Sequence, residues 1–259
     1  MEPSRLFDIR TMQESHKKAL TDPVFSIISK AADELSVECY VIGGFVRDYF
    51  LKRGNAKDID VVAIGSGIAL AEKVASKLKD NPQISVFKNF GTAMVKHGEI
   101  ELEFVGARKE SYHRDSRKPV VENGTLQDDQ NRRDFTINAL ALSLNTKNFG
   151  TLLDPFDGIA DLGKGIIRTP LNPDITYSDD PLRMMRAVRF ASQLNFTIEP
   201  QSLQAITDNK ERIHIISKER IIDELNKVML CDTPSKGFSL LHKTGLLALI
   251  LPELTDLQG

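Results

Sequence analysis

The sequence predicts an α+β fold in which a sheet domain is followed by an all-helical part. Two buried strands are predicted from the apolar runs VECYVI at 37–42 and IDVVAI at 59–64. Beyond about residue 170 the strand patterns end, and helical patterns cover 181–194, 201–209, 218–230 and 234–250. We therefore expect three segments, which are a helical lead-in over 1–36, a sheet domain over 37–170 and a helical domain over 171–259.

Helices are predicted both before the sheet and between its strands. In the lead-in, Asp22 and Pro23 have the residue types of an N-cap and a first helical position. Further helices are predicted over 45–52 and 68–79. The GSG segment at 65–67 lacks the third glycine of a dinucleotide-binding fingerprint. We interpret its glycines as turn residues.

The segment after the second helix predicts the rest of the sheet. The runs ISVFK and TAMVKHGEIELEFV predict strands, with a hairpin turn at His97-Gly98 between the last two. In GEIELEF the strict alternation sets the glutamates on one face and the apolar residues on the other. The polar stretch 106–131 has little periodicity and is predicted to be a long loop.

Composition excludes several classes of protein. The chain has 259 residues, of which 41% are apolar, and 34 basic residues nearly balance 36 acidic ones. Collagen-like, disordered and disulfide-rich chains are excluded by these values, and any polyanionic partner must meet a local basic patch. Cys39 and Cys231 are far apart, which favours a reducing compartment. Without a signal peptide or a membrane-length apolar run, the sequence predicts a cytoplasmic protein without a membrane partner, and leaves its oligomeric state open.

The strongest local signal lies in GGFVRD at 43–48 and KDIDVV at 57–62. Two glycines between a strand and a helix let backbone amides approach a phosphate, and Arg47 lies one turn into that helix. Asp58 and Asp60 lie two residues apart on the next strand, so both carboxylates face the same side. Like charges so close favour a bridging cation, and Mg²⁺ prefers oxygen ligands. Asp-x-Asp alone is more typical of a solvated strand, but the upstream motif favours a nucleotide and metal site.

These segments resemble the first motif of the class II tRNA nucleotidyltransferase and bacterial poly(A) polymerase family. Four later segments resemble further family motifs in the same order: NRRDFTINALAL at 131–142, LLDPFDGIADLGKGIIRT at 152–169, DDPLRMMRAVRFASQLNF at 179–196 and ISKERIIDELNKVM at 216–229. The resemblance covers roughly residues 40–252. It implies a nucleotidyltransferase sheet domain of the polymerase β type, followed by a helical neck.

The resemblance also implies a reaction. This is template-independent transfer of nucleotides from CTP and ATP to the 3′ end of tRNA, with release of pyrophosphate. It implies a two-metal site in which Asp58 and Asp60 bind Mg²⁺. Glu103 is the candidate third carboxylate, although its place in an alternating strand is equally typical of a solvent-facing glutamate.

Contacts to the phosphates and the nucleotide are implied as well. The residues that match the family's contact positions are Gly43, Gly44, Arg47 and Arg133. An alternative for Arg133 is an ordinary ion pair with Asp134, and Arg132 is interpreted as a neighbouring surface charge.

The segment DDPLRMMRAVRF predicts a helix with Asp180 as N-cap and Pro181 as first residue. Arginines recur every three residues along this helix and spread over one broad face, at Arg183, Arg186 and Arg189. A bound triphosphate would offset the repulsion between their positive charges. The resemblance implies that Asp180 and Arg183 recognise the amino-plus-acceptor edge shared by C and A. It implies that Arg186 and Arg189 support phosphate and template geometry. The alternative for Asp180 is that it only caps the helix.

The exact product is left open by the sequence. The basic stretch 106–131 resembles the family's flexible loop, whose undeleted length favours complete CCA addition. The segment 84–96 lacks the arginine-rich signature of poly(A) polymerases. Poly(A) synthesis, addition of A only or CC only, and a non-catalytic RNA-binding remnant remain alternatives. Relatives continue past LPELTDLQG into a body and tail, so we expect a head-and-neck portion that holds tRNA weakly.

Overall fold

The computed structural model describes residues 16–54, 57–80, 82–113 and 116–257. Its strands are β1 (Cys39–Ile42), β2 (Asp58–Ala63), β3 (Ile84–Phe87), β4 (Thr92–His97), β5 (Ile100–Gly106), β6 (Arg108–His113), β7 (Ser116–Asn123), β8 (Ala141–Ser143), β9 (Leu152–Leu153), β10 (Ile166–Ile167) and β11 (Thr197–Ile198). Its α-helices are α1 (Pro23–Glu34), α2 (Gly44–Phe50), α3 (Gly67–Ala75), α4 (Leu126–Asn131), α5 (Gly158–Lys164), α6 (Pro173–Asp179), α7 (Leu182–Gln193), α8 (Pro200–Asn209), α9 (Lys218–Met229), α10 (Pro234–Thr244), α11 (Leu246–Ile250) and α12 (Pro252–Asp256).

Among the described residues, seven strands form one mixed sheet in the order β3-β4-β5-β2-β1-β8-β9. The central strand β2 pairs antiparallel with β1 and parallel with β5. A parallel pair needs a crossover, and the chain between β2 and β5 contains α3, which packs along β2, β4 and β5. A mixed sheet followed by a largely helical segment confirms the α+β prediction.

One face of this sheet is apolar over β1 and acidic at the start of β2. Tyr40, Ile42 and Val62 form a buried cluster with Leu126 of α4 packed against it. Because side chains alternate along a strand, Asp60 lies on the same face as Val62, and the register sets it opposite Ile42. The apolar half anchors the sheet, and the acidic half is the candidate site.

Predicted helix starts and turns in this region are confirmed. The Asp22 carboxylate accepts a hydrogen bond from the Val24 amide at 2.9 Å, and Pro23 is the first helical residue of α1. Gly65 has a φ of +140°, and a Cβ on Gly67 would lie 2.6 Å from the Val105 carbonyl carbon. These glycines therefore serve a turn and a close helix–strand contact, as predicted.

The described chain divides into two compact units. The first takes its residues from Met1–Lys109, Val121–Arg133 and Ile137–Gly163, and the second from Glu110–Val120, Asp134–Thr136 and Lys164–Gly259. The second unit contains α6 to α12 and a two-stranded parallel sheet of β10 and β11, so it is not purely helical. Two-residue strands are too short to produce a period-2 pattern. No helix in the described ranges is long and apolar enough to cross a membrane.

The predicted long loop over 106–131 is wrong. The stretch forms β6 and β7, which pair as a separate two-stranded sheet, and then α4. Its strands carry mostly polar and charged residues, so the apolar alternation that identifies a strand is missing. A capping box in which Thr125 and Asp128 bond each other's backbone amides begins α4, and this local signal was available in the sequence.

Three smaller predictions are corrected. The hairpin between β4 and β5 turns at Gly98 and Glu99, one residue later than predicted, and Gly98 has a φ of +60°. The helix predicted over 234–250 ends at Thr244, because Gly245 adopts the left-handed conformation that terminates helices. The unpredicted helix α6 precedes α7, whose N-cap is Pro181.

Candidate active site

Three carboxylates lie side by side on the acidic face of the sheet. Asp58 and Asp60 lie on β2, and the parallel register pairs Asp60 with Glu103 and Asp58 with Glu101 on β5. Asp58 and Glu103 are exposed, and the Asp60 side chain keeps 44% of its surface accessible. The structure therefore brings together the three carboxylates that the sequence singled out, on strands whose buried neighbours hold them fixed.

Loss of solvation and neighbouring negative charges disfavour the simultaneous ionisation of Asp60 and Glu103. Loss of solvation raises the pKa of Asp60, with a further rise from the charges of Asp129 and Asp58, while the Arg133 charge opposes it. Partial loss of solvation and the charge of Asp60 raise the pKa of Glu103. A cation would relieve both effects, and carboxylate oxygens are the ligands that Mg²⁺ prefers. Among the described residues, no group of three or more His, Cys, Asp or Glu side chains has the arrangement of a complete metal site.

Gly43 lies beside Asp60 and Arg133. Its φ of +83° is strained for other residues, and a Cβ there would lie 3.1 Å from Arg133 Nη1 and 3.4 Å from Asp60 Oδ2. The next residue, Gly44, begins α2. The first of the two glycines is therefore required both by the backbone and by the space beside Asp60.

We expect Gly43→Ala to reduce activity at this site by about tenfold or more, because it strains the backbone and displaces Arg133 or Asp60. Gly54→Ala is the matched control, since Gly54 also has a positive φ, of +92°, but nothing lies within 4 Å of its Cβ position. Both variants should lose similar unfolding free energy, about 1 kcal/mol. Equal activity losses in the two variants would contradict a special role for Gly43.

Arg47 is held firmly inside the first unit. Its Nε and Nη2 donate to the two oxygens of Asp48 at 2.9 Å each, and Nη1 donates to Asn138 Oδ1 at 2.8 Å. The guanidinium is buried, so the structure gives it a part in fixing α2 and the glycine turn. Its contact with a triphosphate stays a prediction. Asn138 was not identified from the sequence, although it lies within the NRRDFTINA motif.

The paired arginines Arg132 and Arg133 both bind the buried Asp129. Arg133 binds Asp129, with Nε and Nη2 at 3.2 and 3.1 Å from Oδ2, and its Nη1 lies 3.8 Å from Asp60 Oδ2. Asp129 is thus a partner of Arg133 that was not identified from the sequence. Arg132 is not a simple surface charge, because it also binds Asp129, with Nε 2.9 Å from Oδ1. The charges of both arginines outweigh burial and lower the pKa of Asp129 below its ordinary value.

In the second unit, the predicted cap of α7 is shifted by one position. Asp180 ends α6, yet its carboxylate accepts a 3.3 Å hydrogen bond from the Leu182 amide. Arg183 is buried, and its charge opposes the loss of solvation that raises the pKa of Asp179. Capping by Asp180 is thus observed, and recognition of the base by Asp180 stays a prediction.

The other two arginines of α7 have carboxylate partners. Arg186 Nη2 lies 2.6 Å from Asp134, and Arg189 Nε lies 2.6 Å from Glu224 on α9. The second pair is nearly enclosed, with side chains 10% and 5% exposed. The spacing of these arginines therefore does not require a triphosphate, which corrects that part of the sequence argument. Neither carboxylate partner was identified from the sequence.

Comparison with known proteins identifies the family. A family model described as the poly A polymerase head domain matches residues 39–168, and one described as the probable RNA and SrmB-binding site of polymerase A matches 195–258. The chain belongs to the poly A polymerase head domain family. The resemblance seen in the motifs is thereby confirmed. Asp58, Asp60, Glu103 and Arg133 lie inside the head-domain match, whereas α7 lies between the two matched segments.

Individual members of the family show the extent of the similarity. An A-adding tRNA nucleotidyltransferase of Aquifex aeolicus is 43% identical over 162 residues, which is 62% of this chain and 19% of that protein. A CCA-adding enzyme of Lactobacillus johnsonii is 37% identical over 230 residues, or 85% of this chain and 53% of the enzyme. The solved Thermotoga maritima CCA-adding enzyme complexed with tRNA has a TM-score of 0.77 and 30% identity, over 92% of this chain and 56% of that one. The chain thus spans about half the length, or less, of these relatives.

Proposed function

We propose that this chain transfers nucleotides from CTP and ATP to the 3′ end of tRNA, so that it adds or repairs the CCA sequence. The observation that carries the proposal is the carboxylate pair Asp58 and Asp60 on a head-domain sheet, with Asp60 beside Gly43 and the guanidinium of Arg133. Relatives named CCA-adding enzymes, with 36–39% identity over 79–96% of the chain, support the same activity.

The proposed reaction joins an RNA 3′-hydroxyl to the α-phosphate of the nucleotide and releases pyrophosphate. Asp58 and Asp60 would hold Mg²⁺, with Glu103 as the proposed third carboxylate. Bound Mg²⁺ supplies charge neutralisation at the triphosphate and Lewis-acid assistance at the reacting oxygens. Arg133 contributes a fixed positive charge for the phosphates, and the bare backbone at Gly43 leaves room for them.

Base selection is proposed for Asp180 and Arg183. A carboxylate accepts from the exocyclic amino group of C or A, and a guanidinium donates to the neighbouring ring acceptor. On the Watson–Crick edge, U has no amino group, and the ring nitrogen beside the amino group of G is protonated. The same two side chains would therefore admit CTP and ATP and reject UTP and GTP. Arg186 and Arg189 are proposed to support the nucleotide site by fixing α7 through Asp134 and Glu224.

Replacing both Asp180 and Arg183 by alanine should relax discrimination against UTP and GTP by about tenfold or more, since each lost base contact costs about 1–3 kcal/mol. Incorporation of each of the four nucleotides under competition measures this. Asp179→Ala, which removes the neighbouring carboxylate, is the control. A double variant that still excludes UTP and GTP as the wild type does would move base selection to other residues.

The activity itself is tested with tRNA ending just before CCA, supplied with each labelled nucleotide in turn. Extension by two C residues and one A supports the proposal. No incorporation of any nucleotide, in the presence of Mg²⁺ and with the chain folded, would overturn it. Addition of A residues without limit would instead make the chain a poly(A) polymerase.

Addition of A alone is the second candidate, because the A-adding relative from Aquifex aeolicus shares 43% identity over 162 residues of this chain. A tRNA that already ends in CC separates the two. Complete CCA addition requires incorporation of C on the shorter tRNA, whereas an A-adding enzyme extends only the tRNA that ends in CC.

A further inference from the structure

Asp129 is a completely buried carboxylate, with 0% of the residue exposed, just behind the candidate site. It lies in the first turn of the six-residue helix α4, next to the capping residue Asp128. Its two oxygens are divided between two arginines, with Oδ1 accepting from Arg132 and Oδ2 from Arg133. A buried ion cluster of this kind contributes little net stability compared with an apolar replacement of the same shape. Stability therefore does not explain why Asp129 is a buried carboxylate, and another role is needed.

The geometry at Arg133 indicates that purpose. Asp129 takes the edge of the guanidinium formed by Nε and Nη2, at 3.2 and 3.1 Å. A guanidinium is planar and rigid, so fixing one edge fixes the direction of the remaining nitrogen. That nitrogen, Nη1, lies 3.8 Å from Asp60 Oδ2 and 3.1 Å from the position that a Cβ of Gly43 would occupy. Asp129 thus determines where a positive charge stands at the carboxylate pair.

We propose that Asp129 is a positioning residue of the nucleotide site, whose carboxylate orients Arg133 so that Nη1 meets the triphosphate beside Asp60. The inference rests on the proposed function, since it takes a nucleoside triphosphate as the ligand. Asp129 itself touches no substrate and acts through Arg133. Arg132 occupies the second oxygen and prevents Asp129 from rotating away from Arg133.

A double-mutant cycle tests whether Asp129 acts through Arg133. The affinities of the wild type, Asp129→Asn, Arg133→Ala and the double variant for CTP and ATP are measured by calorimetry with Mg²⁺ present. Each single variant should bind about tenfold more weakly, the effect of one charge-assisted hydrogen bond. The double variant should bind no more weakly than Arg133→Ala alone, because Asp129 has nothing left to orient. A further loss on adding Asp129→Asn to Arg133→Ala would show a general structural role and overturn the proposal.

Asp128→Asn is the matched control, since Asp128 is the neighbouring acidic residue of α4 and the hydrogen bonds described for its carboxylate all come from Thr125. It weakens the start of the helix without touching Arg133, so nucleotide affinity should stay unchanged. An equal loss of affinity in Asp128→Asn would assign the effect to α4 stability and overturn the proposal.

Two further outcomes are distinguishable. If Asp129→Asn fails to fold, Arg133→Lys carries the test, because lysine keeps the charge but has no planar fork for Asp129 to hold. Affinity equal to that of Arg133→Ala supports the proposal, and affinity equal to that of the wild type overturns it. A wild-type chain that binds neither CTP nor ATP overturns the proposed function together with the inference, whereas wild-type affinity in a folded Asp129→Asn variant overturns the inference alone.

Discussion

Replacing Asp60 with asparagine is expected to lower nucleotide incorporation by at least about a thousandfold. The reason is that metal-assisted stabilisation of the reacting phosphate is worth several kcal/mol, and each 1.4 kcal/mol is about tenfold in rate. Asp58→Asn should act alike, because both carboxylates face the same side of β2. Single-turnover incorporation of labelled CTP into tRNA measures both variants.

Glu101→Gln is the matched control for these two variants. Glu101 lies opposite Asp58 in the register of β2 and β5, but its carboxylate lies 3.9 Å from Lys96 Nζ. Near-wild-type incorporation in Glu101→Gln would show that the loss belongs to the Asp58 and Asp60 pair and not to charge on this face in general. Activity within about tenfold of wild type in Asp60→Asn would contradict the metal-site assignment.

The Asp60→Asn replacement should leave the fold intact. Loss of solvation raises the pKa of Asp60 in the folded chain above its unfolded value. Folding therefore favours the protonated form, and ionised Asp60 costs stability once the pH exceeds the folded pKa. Asparagine carries no charge, so the free energy of unfolding at neutral pH should be unchanged or higher. Lost activity with retained stability is the combined signature of a functional carboxylate.

The sheet could be predicted because its strands are short, buried and bounded by glycine. Residues 39–42 are continuously apolar, residues 61–64 form an apolar run that follows Asp60, and the alternation in 100–106 fixes which glutamates share a face. The strand pair of β6 and β7 could not be predicted in this way, because these strands form a separate polar sheet. The break at Gly245 depends on its backbone conformation, which an apolar pattern does not reveal.

The acidic part of the site was predictable for the same reason that the strand was. Asp58 and Asp60 are two residues apart on one strand, so local geometry alone sets them on one face. The ion-pair partners of the arginines were harder to predict from the sequence. Asp129 precedes Arg133 by four residues, a helical spacing that becomes informative only once α4 is known. Glu224 lies 35 residues from Arg189, and only the packing of α9 on α7 brings them together.

Glu224→Ala is expected to lower the free energy of unfolding by about 3–5 kcal/mol, because it leaves the buried Arg189 guanidinium without its carboxylate. The ion pair is 2.6 Å long and almost enclosed between α7 and α9. Loss of solvation already lowers the pKa of Arg189, and the charge of Glu224 opposes that effect. Chemical denaturation measures the loss, with Asp223→Ala as the control, since the neighbouring Asp223 on the same helix is exposed. Equal stabilities of the two variants would contradict the prediction.

The double variant Arg189→Met, Glu224→Leu removes both charges and is expected to return within about 1 kcal/mol of wild-type stability, because apolar residues can replace a buried pair without loss. The guanidinium of Arg189 lies over the Phe190 ring, with its carbon 3.9 Å from the ring centre, and methionine sulfur makes favourable contacts of the same kind. If Arg189 acts on the nucleotide site only by fixing α7, any incorporation lost in Glu224→Ala should recover in the double variant together with stability. Recovery of stability without recovery of incorporation would contradict this and assign Arg189 to direct contact with the nucleotide.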